Sequence, residues 1–219
     1  MGTYHSRKYS VNELFFDVWS VAMAYVLGFW FADGYMRKDK SYRVVFISND
    51  KSALLQIREA MASAHPIRKR IGDNTWGVSI CSKHLYESLG GRGGNRRKSR
   101  NMVFPKIPEK YLSDFIRGYF DGDGSVFRVR YMSTKNHKPR VELRSNFTSG
   151  SMAFLKKLML ILNNRLGLTL KKIGVYNGGL SLKLGYATGD TEKLMKFMYY
   201  PKYKIGLQRK ACYLRYIRT

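Results

Sequence analysis

The sequence has few of the residues that build metal clusters or disulfide frameworks. Its two cysteines, Cys81 and Cys212, form no CxxC pair and have no histidine at metal-ligand spacing, so neither a zinc site nor a disulfide framework is indicated. Long apolar runs are also missing, because the longest, from Val21 to Ala32, is too short to span a bilayer. The first residues do not show the basic and then apolar pattern of a signal peptide. We therefore expect an intracellular protein, in a bacterial cytoplasm or an organelle, that is not secreted.

Acidic residues are scarce as well. The 15 Asp and Glu face 40 Lys and Arg, which gives a formal net charge of +25 and points to a polyanionic partner. Nucleic acid is the leading candidate, and an anionic membrane surface is the alternative, which the lack of a spanning segment weakens. The 219 residues, 44% of them hydrophobic, can build the core of one sizeable domain or of two similar halves.

An internal repeat favours two similar halves. Helix, strand and turn signals follow the order α-β-β-α-β-β-α twice, which predicts an α+β fold with one repeat in residues 1–105 and another in 106–219. In the first repeat, whose opening strands are the least clearly marked, helices are predicted over 21–34, 50–64 and 83–90 and strands over 41–48, 67–71 and 75–81. In the second, helices are predicted over 108–124, 151–167 and 190–200 and strands over 125–132, 140–148, 170–176 and 180–187, before a helical segment over 205–218.

The opening helices of both repeats share a ridge with almost no side chain. Ala24, Gly28 and Ala32 recur every fourth residue in the first helix, and Gly118 and Gly122 do so in the second. A glycine inside a helix costs about 0.5–1 kcal/mol relative to alanine, so we expect both helices to gain something from the missing Cβ. Close packing of one helix on the other along these ridges is the predicted gain.

An aspartate follows each ridge, Asp33 in "FADG" and Asp123 in "DGDG". A carboxylate at the negative end of a helix is unfavourable by about 0.3–1 kcal/mol unless a cation compensates it. If the two helices pack in parallel, both carboxylates emerge at one end, where a divalent cation would relieve their repulsion, and hard oxygen ligands suit Mg²⁺. The alternative is a pair of ordinary Asp-Gly helix ends with glycine in the left-handed conformation. A calcium loop is excluded, because Val126 occupies the position that needs glycine and Met132 the position that needs glutamate.

The predicted strands are rich in cations. In "FRVRY", alternation is expected to place Phe127, Val129 and Tyr131 against the helices and to leave Arg128 and Arg130 on the open face of the sheet. Other polar residues predicted to face DNA are Arg43, Arg68, Arg70, Arg140, Glu142, Arg144, Asn146 and Lys183. Such a face can contact base edges in the major groove, whereas a solvated sheet face is the alternative. The Gly-, Arg- and Lys-rich stretch 90–105 is either a solvated linker or a loop that contacts phosphate.

The two helix motifs resemble those of a known family. "VLGFWFADG" and "IRGYFDGDG" are similar to the paired motifs of LAGLIDADG homing endonucleases, in the single-chain form with two pseudo-symmetric repeats. The likeness runs over nearly the whole chain, from "WSVAMAYVLG" to "FPKIPEKYLSDFIRGYFDGDGSV". It implies two curved antiparallel sheets that form a DNA-binding saddle and meet at a two-helix interface with Gly28 and Gly118. The first motif departs from the pattern, since Phe31 stands where the second has an acidic residue, Asp121, so the two active sites are expected to be unequal.

The resemblance also implies a set of site residues. Asp33 and Asp123 would bind the divalent metal as catalytic residues, with the backbone of Gly34 and Gly124 as candidate neighbouring ligands. Family members place a basic residue near each cut site. The "RRKS" run suggests Lys98 for the first half and "LQRK" suggests Lys210 for the second. Competing candidates for the same role are Arg97, Lys204 and Arg209.

The activity implied by the resemblance is cleavage of both strands of double-stranded DNA at a long, asymmetric site. Short 3′ overhangs, dependence on Mg²⁺, a monomeric state and a role in intron or intein mobility are expected with it. Mn²⁺ is expected to substitute, and Ca²⁺ to bind without supporting cleavage. Two alternatives stay open: an intron maturase or other nucleic-acid-binding protein on this fold that does not cut, with its own intron RNA as partner, and a general RNA-binding protein. The last explains the charge but not the paired glycine-aspartate helices.

Overall fold

The two repeats are visible in the order of elements. A computed structural model describes residues 8–39, 41–95, 98–134 and 136–217, and only the backbone of Lys98 and Ser99. The first half consists of α1 (Val21–Asp33), β1 (Gly34–Lys38), β2 (Tyr42–Ser48), α2 (Lys51–Ala60), β3 (Arg68–Lys69), β4 (Trp76–Cys81) and α3 (Lys83–Gly91). The short helix α4 (Lys98–Asn101) and a 3-10 turn (Glu109–Tyr111) lead to the second half.

The second half repeats the pattern. It consists of α5 (Leu112–Asp123), β5 (Gly124–Met132), β6 (Pro139–Ser149), α6 (Met152–Leu166), β7 (Gly174–Tyr176), β8 (Ser181–Tyr186) and α7 (Thr188–Met198). The chain continues through α8 (Gln208–Ala211) and a 3-10 segment (Cys212–Tyr216). Within the segment predicted as helical over 205–218, the described residues thus form a short helix and a 3-10 segment, and Arg218 lies outside the described residues.

Each half forms one antiparallel four-stranded sheet, and the two sheets have matching strand orders. The orders are β1-β2-β4-β3 and β5-β6-β8-β7, with antiparallel pairing throughout. The predicted α+β fold of two αββαββα repeats is therefore confirmed. The boundary at residues 105 and 106 stays a prediction.

Local sequence accounts for how α1 begins and why the predicted order gave no residue range for β1. Ser20 caps α1, since its Oγ accepts a hydrogen bond from the N–H of Met23 at 3.0 Å. At the other end the chain passes from helix to strand without a turn, because Gly34 is already extended, at φ −108° and ψ 164°. No turn residues separate the two elements, so the sequence pattern gave no boundary for β1.

The core is centred on α1 and α5. Residues Met23 to Phe31 of α1 are all buried, which explains the absence of a polar stripe on this helix. The other central helix, α5, buries apolar side chains and also three charged ones: Asp114, Arg117 and Asp121. Within the described ranges, none of the helices has the length and apolar character needed to cross a bilayer.

The open faces of the sheets differ in one strand from the prediction. In β5, Val126 is buried, at 8% exposure, whereas Phe127 is 39% exposed. Phe127 lies opposite Arg144 and Tyr131 lies opposite Arg140, so these aromatic side chains share the open face. The prediction that Phe127, Val129 and Tyr131 face the helices is wrong, because the strand begins directly after Asp123 and this start sets the alternation one residue away from the predicted one.

The correction moves two arginines to the other side of β5. Arg128 and Arg130 alternate with Phe127 and therefore lie on the helix side of the sheet, beyond the end of the buried core. The guanidinium of Arg128 lies 4.2 Å from the ring centroid of Tyr216 in the C-terminal segment. The prediction that they lie on the open face is therefore wrong, and their contact with DNA stays a prediction.

Candidate functional site

The two central helices touch along the predicted ridges. A Cβ built on Gly28 would lie 2.0 Å from the carbonyl oxygen of Phe115, and one built on Gly118 would lie 2.0 Å from that of Tyr25. Further along, a Cβ on Gly122 would lie 2.4 Å from the Cβ of Ala32. The helices cross where residues 25–28 meet residues 115–118, and towards their C-terminal ends residue 32 meets residue 122. The two helices therefore pack in parallel, with their backbones in contact. The structure thus places Gly28, Ala32, Gly118 and Gly122 of the predicted ridges at this contact.

Parallel packing brings the two predicted metal-binding aspartates to the same end of the helix pair. Asp33 is the last residue of α1 and Asp123 is the last residue of α5. The glycines that follow, Gly34 and Gly124, are extended at φ −108° and −96°. The alternative of left-handed Asp-Gly helix ends is therefore excluded. A Cβ on either glycine would collide with an aromatic ring, of Trp30 or of Phe120, at 2.2 Å, which gives a packing reason for glycine here.

The carboxylate of Asp33 lies against the other helix. Its Oδ2 would be 3.3 Å from a Cβ on Gly122, the residue before Asp123. Both carboxylates also act on one phenol: burial raises the pKa of Tyr119 well above its usual range, and the negative charges of Asp123 and Asp33 add to that effect. Two acidic groups thus sit at the point where β1 and β5 begin. Among the described residues, no cluster of three His, Cys, Asp or Glu side chains forms, so a cation here would draw on this pair and on other oxygen atoms.

Lys210 lies at the same helix end. Its Nζ is buried and donates to the carbonyl oxygens of Phe120 at 2.5 Å, Asp121 at 2.9 Å and Gly124 at 2.7 Å. Burial lowers the pKa of Lys210 to about 8, opposed by the carboxylates of Asp121, Asp33 and Asp123. The ammonium group therefore compensates the negative end of α5, and all three of its hydrogens are used on backbone carbonyls.

Other predicted basic residues have different positions. The side chain of Lys98 and the whole of Arg97 lie outside the described residues, so that assignment stays a prediction. Arg209 pairs with Asp50, with 3.0 Å between Nε and Oδ2, and Lys204 is exposed. In the stretch 90–105, Arg92 donates to the carbonyl oxygens of Phe16 and Asp17. This arginine has a structural role in the first half.

The earlier acidic residue of the second motif has partners other than Asp33 and Asp123. Asp121 is 2% exposed. Its Oδ1 accepts a hydrogen bond from the hydroxyl of Tyr199 at 2.5 Å, and its Oδ2 accepts from the hydroxyl of Tyr25 at 2.9 Å and from the N–H of Leu207 at 2.8 Å. Burial raises the pKa of Asp121, and the charge of Lys210 and the three donors oppose that shift. The residue is a buried structural carboxylate.

The matching position in α1 is Phe31, which is 1% exposed. Its ring centroid lies 5.6 Å from that of Phe115 and 6.4 Å from that of Phe154. Neither position 31 nor position 121 therefore contributes an oxygen ligand to the Asp33 and Asp123 pair. Positions 31 and 121 differ in how they pack, and the expectation of unequal active sites stays a prediction.

The open face of the second sheet is polar and partly aromatic. Glu142 accepts hydrogen bonds from the Tyr131 hydroxyl at 2.6 Å and from Arg144 at 2.9 Å, and these two contacts lower its pKa. Strand pairing places further predicted residues on this face: Arg140, Asn146 and Lys183. The predictions for these residues are confirmed as to position, and their contact with DNA stays a prediction.

The open face of the first sheet forms a concave surface. Its lining includes Tyr35, Arg43, Val45, Ile47, Arg68 and Arg70. Arg70 also pairs with Asp73, with 3.5 Å between Nη1 and Oδ2. The three predicted arginines of this half therefore share one surface.

Sequence reasoning missed the residues that hold the C-terminal segment on α5. Arg117 is fully buried and donates to the carbonyl oxygens of Ile205 at 2.8 Å and Met198 at 2.7 Å, and to Asp114 at 2.6 Å. The signal was present in "DFIRGYFD", where charges interrupt the apolar pattern of a helix otherwise expected to be buried. A buried charge needs partners, but the sequence did not show that two of them, the carbonyl oxygens of Ile205 and Met198, lie more than eighty residues away.

Comparison with known proteins agrees with this geometry. A family model described as a LAGLIDADG-like domain matches residues 110–179. An uncharacterized protein of Methanocaldococcus jannaschii is 30% identical over 117 residues, which are 49% of this chain and 40% of that protein. A DNA polymerase of Thermococcus sp. strain GE8 is 34% identical over 125 residues, 52% of this chain and 7% of the polymerase. The chain spans less than half the length of these relatives, so their names do not assign its activity.

Solved structures share the fold over almost the whole chain. The LAGLIDADG homing endonuclease I-LtrWI bound to target DNA superposes with a TM-score of 0.58 at 14% identity, covering 92% of this chain and 88% of that one. I-SmaMI bound to cleaved DNA gives 0.59 at 18% identity, with 90% and 87% covered. Variants of the homing endonuclease I-DmoI give 0.59 at 19% identity, with 92% and 98% covered. At such identities the likeness shows the fold.

Proposed function

We propose that this chain, which has a LAGLIDADG-like domain and the two-repeat fold of LAGLIDADG homing endonucleases, is a site-specific endonuclease that cuts both strands of DNA. The observation that carries the proposal is the delivery of Asp33 and Asp123 to one point by two parallel helices in backbone contact. Two carboxylates at the negative ends of two helices attract cations, and Lys210 supplies one positive charge beside the pair, which leaves negative charge for a bound metal to compensate.

The residues at this point suit a hard divalent cation. Asp33 and Asp123 supply carboxylate oxygens, the ligand type that Mg²⁺ prefers. The Gly124 carbonyl, a candidate ligand, already accepts a hydrogen bond from Lys210 at 2.7 Å, and Gly34 stays a candidate in the first half. Bound there, Mg²⁺ would supply positive charge to the attacking and leaving oxygens of phosphodiester hydrolysis.

The protein's own part in the reaction is to bind and to orient. The seam at Gly28 and Gly118 fixes the distance between the two halves, so each aspartate is held by a helix that cannot shift without the other. Lys210 contributes fixed positive charge beside the pair and stabilises the backbone on both sides of Asp123.

The partner that fits the rest of the surface is double-stranded DNA, bound by a monomer whose two halves each present one sheet. Cations on the open faces would contact phosphates and base edges; they include Arg43, Arg68, Arg70, Arg140, Arg144 and Lys183. Affinity should therefore fall steeply with salt. Within this proposal, the products carry short 3′ overhangs and the protein supports the mobility of an intron or intein.

The direct test uses supercoiled plasmid carrying the uninterrupted sequence that flanks the gene. Linear product is expected with Mg²⁺ or Mn²⁺, and none with EDTA or Ca²⁺, although Ca²⁺ should still allow binding. Asp33→Asn and Asp123→Asn should each slow double-strand cleavage by at least about a hundredfold, because charge supplied by a bound metal contributes several kcal/mol. Sequencing of the product ends reads out the overhang.

A matched control separates the metal site from a general effect of lost charge. Asp190 lies in the first turn of α7 and accepts a hydrogen bond from the N–H of Thr169 at 3.3 Å; Asp190→Asn should cut at the wild-type rate. Wild-type cleavage of both strands by either Asp33→Asn or Asp123→Asn would refute the metal assignment. Tight binding without cleavage in any metal would favour the alternative of a non-cleaving nucleic-acid-binding protein.

A further inference from the structure

We propose that Asp121 is a positioning residue: its buried carboxylate holds residues 199–210 on α5 and thereby seats Lys210 beside Asp33 and Asp123. The consequence for catalysis rests on the proposed endonuclease function. The seating itself is a property of the folded chain and is measured without DNA.

The first step is the set of donors that the carboxylate binds. Of the three groups that donate to Asp121, the Tyr199 hydroxyl at 2.5 Å and the Leu207 N–H at 2.8 Å belong to residues 199–210. The third, the Tyr25 hydroxyl at 2.9 Å, comes from α1. A carboxylate that is 2% exposed and satisfied by three donors is costly to remove, because each donor would be left unpaired.

The second step connects Leu207 to Lys210. Leu207 is the N-cap of α8, directly before its first residue, and its carbonyl oxygen accepts hydrogen bonds from the N–H of Lys210 at 2.9 Å and from that of Ala211 at 3.0 Å. Asp121 binds the N–H of the same residue. The carboxylate therefore fixes the start of the short helix that carries Lys210, and a four-residue helix has little stability of its own.

The third step concerns the side-chain ammonium group of Lys210. The Nζ of Lys210 donates to the carbonyl oxygens of Phe120, Asp121 and Gly124. Asp121 thus holds the segment twice, with its side chain at Leu207 and with its own carbonyl at Lys210. This places the ammonium group on the backbone that carries Asp123.

Neighbouring contacts hold the segment on either side of Leu207. Arg117 binds the carbonyl oxygens of Met198 and Ile205, Gln56 accepts from the N–H of Gly206 at 3.0 Å, and Arg209 pairs with Asp50. These contacts keep the segment docked, whereas Asp121 binds Leu207 itself. Loss of the carboxylate should therefore release α8 without detaching the whole segment.

The seating is tested by lysine acetylation footprinting of the full chain, read out by mass spectrometry. In Asp121→Leu, which keeps the size but removes the acceptors, Lys210 should be acetylated about tenfold faster than in the wild type, as expected when a local opening becomes easier by that factor. Asp121→Asn should stay near the wild-type rate, since its amide oxygen still accepts from Leu207. Tyr25→Phe removes one hydrogen bond to Asp121 from the α1 side and should leave Lys210 protected.

The catalytic consequence is tested by a double-mutant cycle on DNA cleavage. Asp121→Leu and Lys210→Met should each lower the single-turnover rate, by about ten- to a hundredfold for a catalytic group displaced by about an ångström, with DNA affinity in Ca²⁺ unchanged. If Asp121 acts through Lys210, the double variant is no slower than Lys210→Met alone.

Each outcome decides the proposal. A folded Asp121→Leu whose Lys210 is acetylated at the wild-type rate overturns it, and so do rate effects that multiply in the double variant. If Asp121→Leu does not fold, Tyr199→Phe takes its place, and faster acetylation of Lys210 in Tyr199→Phe than in Tyr25→Phe supports the proposal, whereas equal rates contradict it. A wild-type protein that cuts no DNA refutes the proposed function and leaves the footprinting result to decide the seating.

Discussion

The two halves are alike where they meet and different where each central helix meets the rest of the chain. Gly28 and Gly118 make equivalent contacts, and Asp33 and Asp123 end their helices in the same way. Beside them, Phe31 of α1 packs on aromatic rings, whereas Asp121 of α5 is bound by three polar groups. Symmetry is thus kept at the seam and at the pair Asp33 and Asp123, whereas the flank at Phe31 is apolar and the flank at Asp121 is polar.

Substitutions at the seam, at Gly28 and Gly118, should destabilise the protein most, and by the same amount in both halves. Gly118→Ala and Gly28→Ala each place a Cβ 2.0 Å from a backbone carbonyl oxygen of the partner helix, which the backbone cannot avoid without separating the helices. Each substitution should lower the free energy of unfolding by about 4 kcal/mol or more, an effect of the size reserved for severe disruption of a core. Urea unfolding followed by circular dichroism measures it.

A glycine outside the seam provides the control. A Cβ on Gly90, in α3, would have nothing within 4 Å, so Gly90→Ala should stabilise the chain by about 0.5–1 kcal/mol through helix propensity. A mild effect at Gly28 together with a severe one at Gly118 would show that the halves are not equivalent even at the seam.

The second-largest loss of stability is expected from substitutions on the polar flank of α5. Asp114→Leu leaves the fully buried guanidinium of Arg117 without its carboxylate partner, which now lies 2.6 Å away. Removing one member of a buried ion pair costs about 3–5 kcal/mol. Thermal and urea unfolding should both show the loss.

Replacing the buried ion pair of α5 with apolar side chains, as found in α1, tests the comparison of the two halves further. The positions that match Asp114 and Arg117 in the first half hold Ala24 and Leu27, both buried. The double variant Asp114→Leu/Arg117→Met should therefore be more stable than Asp114→Leu alone, because no buried charge is left unpaired. A double variant as unstable as the single one would mean that the Arg117 contacts to the Ile205 and Met198 carbonyls matter more than the ion pair.

The apolar flank should show a smaller effect, on stability alone. Phe31→Leu keeps an apolar side chain among Phe115 and Phe154 but reduces ring contact, and should lower the free energy of unfolding by about 1–2 kcal/mol. The cleavage rate at saturating Mg²⁺ should not change, because this flank does not hold Lys210. A slower rate with unchanged stability would show that both flanks help to position Asp33 and Asp123.

Regular features of the sequence predicted the fold, whereas contacts between distant segments could not be predicted. The ridge spacing of Gly28 and Gly118 and the aspartates after it were enough to place the helix pair, because i, i+4 periodicity is a local property. Asp121 was assigned only by its place in the motif, since its partners Tyr199 and Leu207 lie far along the chain. Such partners leave no periodic signal.

The prediction of which β5 side chains face the helices was wrong for a different reason. In "SVFRVRY", apolar residues fall on both alternations, so Val126 or Phe127 can be taken as the buried position. The deciding fact is that β5 starts at Gly124, directly after α5, which places Val126 inward. A register displaced by one residue reverses every side chain of a strand.

The smallest effect on stability should come from the open faces, where the two halves again differ. Phe127, 39% exposed, lies on the open face of the second sheet, and Arg37 holds the matching position in the first. Phe127→Ala should change the free energy of unfolding by less than about 0.5 kcal/mol, whereas the inward Val126→Ala should cost about 1–3 kcal/mol. Phe127→Ala and Arg37→Ala should each weaken DNA binding in Ca²⁺. Only Arg37→Ala should also make affinity less dependent on salt, by the amount expected for about one phosphate contact. Titrations of labelled duplex at several salt concentrations measure that slope. An equal change of slope in Phe127→Ala would contradict the expectation that position 127 contacts DNA without a charge and position 37 through one.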